Sequence, residues 1–191
     1  GFHRYSTDSK WLVPHFEKML YDNALLVRLY LHAYQVTGKD LYKDVVEETL
    51  AYVMREMISV EGAFFSSQDA DSDGIEGQYF VWTVDEIKEL LEPDLADEIT
   101  KHYDVTSKGN FEGKSILNLV SEEYNESKYK LIKDTLIKAR DPLLKYRSTR
   151  ICPETDNKIL TSWNGLMISA FAEASVILNR TEYGDVAKKA A

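Results

Sequence analysis

Internal repetition constrains this chain more than any other feature. Asp22-Asn23-Ala24-Leu25-Leu26 aligns without a gap on Trp163-Asn164-Gly165-Leu166-Met167, an offset of 141 from position 22 to position 163. The register holds onward: Ala33 falls on Ala174, Val36 on Ile177, Gly38 on Asn179, Tyr42 on Tyr183, Asp44 on Asp185 and Val45 on Val186. A unit repeated at this length is one supersecondary element used more than once to build a shared core.

Each copy reads as two helices and a turn. Over residues 16–36 apolar side chains fall nearly all the way round, a pattern that predicts an inner helix buried on every side. Gly38 supplies a permissive stop, and Asp40 is placed to cap a second helix running to about Ile58. There Leu41, Val45, Val46, Leu50, Val53 and Met57 form one apolar stripe among Lys43, Asp44, Glu47, Glu48, Arg55 and Glu56, the mark of a solvated outer helix. Residues 163–178 repeat the inner helix, and Glu182 begins to repeat the outer one. Inner and outer helices in alternation are the plan of an α/α toroid; an open stack of helix pairs is the alternative.

The middle of the chain differs. Residues 62–66 and 78–82 are short aromatic runs on either side of a polar segment, and predict a β-hairpin or a pair of extended arms with a long tip. Thr83-Val84-Asp85-Glu86 has capping-box spacing, so a helix should follow to Leu91. Pro93 or Asp94 should start another, to about Tyr103. Residues 116–120 read as a brief strand, and residues 128–140 as a helix that Pro142 bends or breaks. The expected class is therefore mostly α, a partial α/α toroid with a small β-hairpin insertion.

Composition narrows the partners. With 191 residues, 44% of them hydrophobic, the chain can bury one sizeable core, and no apolar run approaches the roughly 20 residues a bilayer span needs. A net charge of −9 argues against nucleic acid or an anionic membrane surface. The one cysteine, Cys152, excludes an intrachain disulfide and suits a reducing compartment, so a cytoplasmic location is expected. The chain opens on Gly1 rather than Met and stops inside a helical pattern. It is read as a single incomplete domain, residues 1–191, cut from a longer protein, with self-association expected where inner helices lack neighbours.

Candidate chemistry sits where loops meet the inner helices. His15, Glu17, Asp22 and Asn23 put polar groups into the first turns of a helix expected to be buried, which costs free energy unless they are paired or face a cavity. In a ring of helix pairs the inner N-termini converge on one mouth, where their N–H groups favour anions. His15, read as lying in the first turn, would be kept neutral by that dipole and able to act as a base; a capping histidine bound to the backbone is the other reading.

Residues 66–77 hold the densest carboxylate cluster. It begins like a calcium loop, with Asp69, Asp71 and Asp73 followed by Gly74, but Phe80 stands where a bidentate Glu is required, so no metal is expected. Carboxylates among Phe64, Phe65, Tyr79 and Trp82 suit sugar chemistry: aromatic faces hold the apolar side of a ring, and carboxylates bond its hydroxyls or serve as acid and base. A solvated acidic loop tip is the bland alternative. Asn110 lies in a further Gly-bearing loop, and Asp156 and Lys158 precede Trp163-Asn164 much as His15-Phe16-Glu17 precedes Asp22-Asn23.

The blocks Gly1-Phe2-His3-Arg4-Tyr5-Ser6-Thr7-Asp8, Trp11 through Asn23, Ser67 through Ser72, Glu76 through Trp82, Gly109 through Gly113 and Lys158 through Met167 resemble, in order and from end to end, the signature of the YyaL / spermatogenesis-associated protein 20 family. That resemblance implies a thioredoxin-like domain elsewhere in the full-length chain as a partner. It also implies a six-hairpin toroid similar to N-acylglucosamine 2-epimerases and six-hairpin glycosidases. One block departs: where the family has His-x-Asp-Asp-Lys, Glu154 and Asn157 replace two positions, and Asp156 and Lys158 alone carry over.

The function expected is glycoside hydrolysis or sugar epimerisation without a cofactor. His15, Asp22 and Asp71 are its acid and base, and Glu17, Asn23, Asp69, Glu76, Trp82, Asn110, Asp156, Lys158, Trp163 and Asn164 bind the substrate. The alternative is a toroid that binds a glycan or a protein without turnover. His15, Asp22, Asp71, Trp82, Asn110 and Trp163 are expected to face one concavity.

Overall fold

A computed structural model describes residues 1–119 and 126–191. In chain order its elements are β1 (Lys18–Met19), α1 (Leu20–Thr37), α2 (Asp40–Glu56), β2 (Ser67–Gln68), β3 (Asp71–Ser72), β4 (Ile75–Glu76), α3 (Val84–Leu90), α4 (Pro93–His102), α5 (Glu126–Arg147), β5 (Thr155–Asp156), α6 (Thr161–Ile177) and α7 (Thr181–Ala190). The described residues are mostly helical, with short antiparallel strands. They divide into two compact units: Gly1–Arg4, Phe16–Ala70 and Glu154–Ala191 form the first, Tyr5–His15 and Asp71–Pro153 the second.

The repeat builds the first unit. α1 packs on α2 and α6, and α6 packs on α7. The two inner helices run parallel, because their first turns meet through Tyr21 and Trp163 (ring centroids 4.8 Å apart) while Arg28 and His32 further along α1 both reach Glu173 of α6. Equivalent positions do equivalent work. Tyr30 lies against Tyr42 at 5.8 Å, and their counterparts Phe171 and Tyr183 meet at 5.9 Å. Gly38 (φ 67°) and Asn179 (φ 52°) both end their helices in the left-handed conformation, which glycine adopts freely and asparagine tolerates better than most residues. Between the helices Leu20, Ala24, Val27, Leu31, Met167, Ala170, Phe171 and Ala174 are buried, and Phe64 stacks on Phe171 at 5.4 Å.

Several expectations are corrected. The inner helix starts at Leu20, not Phe16: residues 16–20 begin as extended chain with Phe16, Lys18 and Leu20 inward, and β1 pairs with β2. Nor is α1 enclosed on every side, since Leu25, Leu29 and Val36 are exposed. Asp40 lies inside the first turn of α2; Lys39 is the N-cap residue and no side chain caps that end.

In the second unit α4 and α5 pack with α3 around Ile87, Ala96, Ile99, Ala139 and Leu143, together with Trp82. The capping box forms as expected: Glu86 N–H donates to Thr83 Oγ1 (3.1 Å) and Thr83 N–H to Glu86 Oε2 (2.8 Å). The predicted hairpin sits elsewhere, within the acidic segment: β3 pairs with β4 across Asp73 (φ 55°) and Gly74 (φ 74°), the Asp-Gly turn whose twist matches paired strands. Of the aromatic arms, Trp82 instead bridges to Ser115. Residues 116–119 are not a strand, and Val120 lies outside the described residues. Pro142 neither ends nor breaks α5, which continues to Arg147 with Ala139 and Leu143 buried on either side of it; packing overrides the missing backbone donor.

Candidate functional site

The three-stranded sheet joins the starts of both inner helices. In the order β1–β2–β5, Lys18 stands opposite Gln68 and Gln68 opposite Thr155, while Met19 stands opposite Ser67 and Ser67 opposite Asp156. Directly opposed residues share a face. Leu20 N–H, at the first residue of α1, donates to the Ser66 carbonyl (2.9 Å), and Ser66 N–H donates to the Asp156 carbonyl (3.1 Å), five residues before α6 begins.

Polar groups gather at this end of the first unit. Arg4 Nη1 donates to Glu17 Oε2 at 3.0 Å and Nη2 to the Tyr21 hydroxyl at 3.4 Å, and Tyr21 meets the half-buried Trp163 edge to face. Burial pushes the Asp22 carboxyl above the ordinary aspartate value; the Arg4 charge opposes this and the Glu17 charge adds to it. Asp156 is driven the other way. Lys158 holds it below the ordinary value by donating from Nζ to Oδ2 (2.8 Å) and from its N–H to Oδ1 (3.1 Å).

The inward face carries a network that sequence reasoning missed. Lys18 is only 5% exposed, with Nζ 4.4 Å from the centre of the Tyr52 ring; Tyr52 OH donates to Gln68 Oε1 and Gln68 Nε2 to Glu56 Oε2, both at 3.3 Å. Burial pushes the Glu56 carboxyl up, but the hydrogen bond and charge of Arg55, the charge of Lys18 and the Gln68 donor outweigh it, so the carboxyl lies below its usual range. The available signal was the extended parity Phe16–Lys18–Leu20, which places a lysine on the apolar side.

Three residues expected to bind substrate hold backbone instead. Asn23 Oδ1 accepts from Phe2 N–H (2.7 Å), and its Nδ2 donates to the carbonyls of Phe2 (3.3 Å) and Met19 (2.8 Å). Asn164 repeats this on Phe64 N–H (2.8 Å), Phe64 carbonyl (2.9 Å) and Leu160 carbonyl (3.2 Å). Asn110 reads both peptide groups of Ile116, at 2.8 and 3.1 Å. The paired residue in each repeat is therefore a clamp between a helix start and the backbone of a distant phenylalanine, with both amide donors committed.

The second unit holds the rest. His15 lies in a loop before β1, so the helix-dipole argument does not apply to it; its Nδ1 is 3.1 Å from Glu76 Oε1 and its ring lies 5.1 Å from Tyr5. Glu76 is paired across the hairpin with Asp71, so three of the expected residues meet there. Asp69, by contrast, belongs to the first unit, exposed beside Glu154. Trp82 is corrected: at 3% exposure beneath the Arg150 guanidinium, 4.3 Å from its ring, it is core and cannot lie against a sugar or line a concavity. Arg150, unforeseen, donates to the carbonyls of Tyr79 (2.9 Å) and Val81 (2.8 Å) and to Glu86 Oε1 (3.0 Å). Among the described residues no group of three His, Cys, Asp or Glu side chains is placed to hold a metal ion, and no helix is long and apolar enough to cross a membrane.

No protein-family model matches the chain. It is 39% identical over 94% of its length to human spermatogenesis-associated protein 20, of which that match covers 27%. The mouse protein of the same name is 38% identical over 93% of the chain and 26% of its own length. An uncharacterised Caenorhabditis elegans protein is 32% identical over 100% of the chain and 30% of its own length. The chain is thus a homologue of the spermatogenesis-associated protein 20 proteins, spanning about a quarter of the length of those it matches.

Proposed function

We propose that the start of the two parallel inner helices is a carbohydrate-acting site, with Asp22 as proton donor, Asp156 as proton acceptor and the Tyr21–Trp163 pair as the surface against which a sugar ring lies. The observation that supports this is that the starts of α1 and α6 meet through Tyr21 and Trp163 (ring centroids 4.8 Å apart) beside the β1–β2–β5 sheet, with Asp22 on the one helix and Asp156 on the edge strand; burial raises the proton affinity of Asp22 and Lys158 lowers that of Asp156. In hydrolysis Asp22 would protonate the leaving glycosidic oxygen while Asp156 takes a proton from the attacking water. In epimerisation the same two groups would remove and return a proton at one sugar carbon.

The parallel hairpins are read as consecutive members of an α/α toroid, in the cytoplasm, serving a thioredoxin-like domain in the full-length relatives. His15, Glu76 and Asp71 form a separate polar cluster in the second unit, with no role in this acid and base assignment. Release of reducing ends from a panel of neutral glycosides, and deuterium incorporation into free aldoses from heavy water, are the two assays. Turnover lost in both Asp22→Asn and Asp156→Asn, with folding intact, supports the reading. Binding of a sugar without turnover replaces it with a lectin-like role, and neither binding nor turnover overturns it.

A further inference from the structure

The contact between α1 and α6 joins two different faces of the repeated helix, and each helix keeps its other face open. On α6 the side toward α1 runs through Trp163, Leu166, Ala170, Glu173 and Ile177, which helical spacing puts on one face. Trp163 meets Tyr21, Glu173 accepts from Arg28, and Leu166, Ala170 and Ile177 pack into the shared core. The repeat puts Leu25, Leu29 and Val36 of α1 at the places of Leu166, Ala170 and Ile177. There they are 48%, 61% and 85% exposed. On α1 the side toward α6 runs through Tyr21, Ala24, Arg28 and Leu31, and the repeat puts Ser162, Gly165, Ser169 and Ala172 of α6 at those places. All four are exposed. One face of each kind is thus buried within the chain, and one of each kind meets water.

We infer that the open face of α1 is the docking site for the open face of α6 on a second copy of this chain. The occupant follows from the contact already present: the matching surface lies on this chain, in the register of one that α1 already uses against α6. The shapes agree with that pairing. Leu25 and Leu29 form a ridge, and Gly165, Ser169 and Ala172 leave a groove into which a ridge can settle. None of these five side chains is charged, so closing the contact strips water from no ion among them. Because the two faces differ, the association is heterologous: every copy that docks presents a fresh α1, and assembly passes beyond two into a ring or an open chain. Leucine face on leucine face would be isologous and would stop at two.

The test mixes two variants of the 191-residue chain in sedimentation velocity, each checked by circular dichroism. Leu25→Glu with Leu29→Glu blocks the face on α1, and Ser169→Glu with Ala172→Glu blocks the face on α6. The wild type should grow beyond a dimer as its concentration rises. At the same concentrations each variant alone should remain monomeric, and an equimolar mixture should give a dimer and nothing larger, since each supplies the face that the other lacks. The single variants Leu29→Glu and Ala172→Glu, run in parallel, give the same reading if a double variant misfolds. A wild type that stays monomeric or stops at a dimer, an α6 variant that assembles as the wild type does, or a mixture that stays monomeric overturns the inference.

Discussion

The asparagines show how a residue's chemistry and its task can part company. Asn23 and Asn164 have the composition of a binding site and the placement of a clamp, each amide closing on the peptide groups of a distant phenylalanine. Replacing either with alanine strands buried backbone donors and acceptors, so Asn23→Ala and Asn164→Ala should each cost about 2–3 kcal/mol in urea unfolding. Asp22 should behave oppositely. Its folded proton affinity is raised by burial, so its ionisation works against folding: the penalty is absent below the unfolded pKa and complete once pH passes the folded one. Asp22→Asn should therefore match the wild type in strong acid and become the more stable protein as pH rises to neutrality, read from denaturation midpoints across that range. The repeat exposed which residues matter, but sequence spacing could not say whether an amide faces a ligand or the protein's own backbone, because both demand the same donors and acceptors.

At the level of elements, periodicity located the helices well where tertiary packing agrees with it. The capping box at Thr83, α4 from Pro93 and the left-handed helix ends at Gly38 and Asn179 were legible because each rests on contacts within a few residues. The misreadings concern long-range partners. Residues 16–19 look helical until β2 supplies a strand to pair with, and Pro142 looks like a stop until Ala139 and Leu143 are seen to be buried. Arg150 was invisible for the same reason, since its acceptors lie more than sixty positions away. It fixes Tyr79 and Val81, touches the capping box through Glu86 and covers Trp82, all of which depend on a planar, forked donor. Lysine offers neither the fork nor the stacking surface. Arg150→Lys should accordingly destabilise by about 2–3 kcal/mol, with Arg150→Ala at least as severe; near-wild-type melting of the lysine variant would show that charge alone suffices.

At the scale of the molecule, the two helical hairpins stand parallel, and the side of α1 bearing Leu25, Leu29 and Val36, like Val176 on α6, is left open to water. Soluble monomers rarely keep such surface uncovered. The isolated chain should self-associate in sedimentation and bind a hydrophobic dye, and a paired Leu25→Glu, Leu29→Glu variant should shift it toward monomer. Mostly helical class and the hairpin repeat were readable from sequence; the distribution of candidate residues between two units was not, because it depends on where the chain crosses rather than on any local pattern. The central claim is that Asp22, Asp156 and the Tyr21–Trp163 pair form one sugar site. It is tested most directly by mapping amide and indole NMR shifts of the 191-residue chain during titration with a bound neutral oligosaccharide. Saturable shifts should centre on residues 17–22, 156–158 and the Trp163 indole, and should vanish in Trp163→Ala. Shifts confined to other parts of the chain, or none at any sugar concentration, would contradict the account.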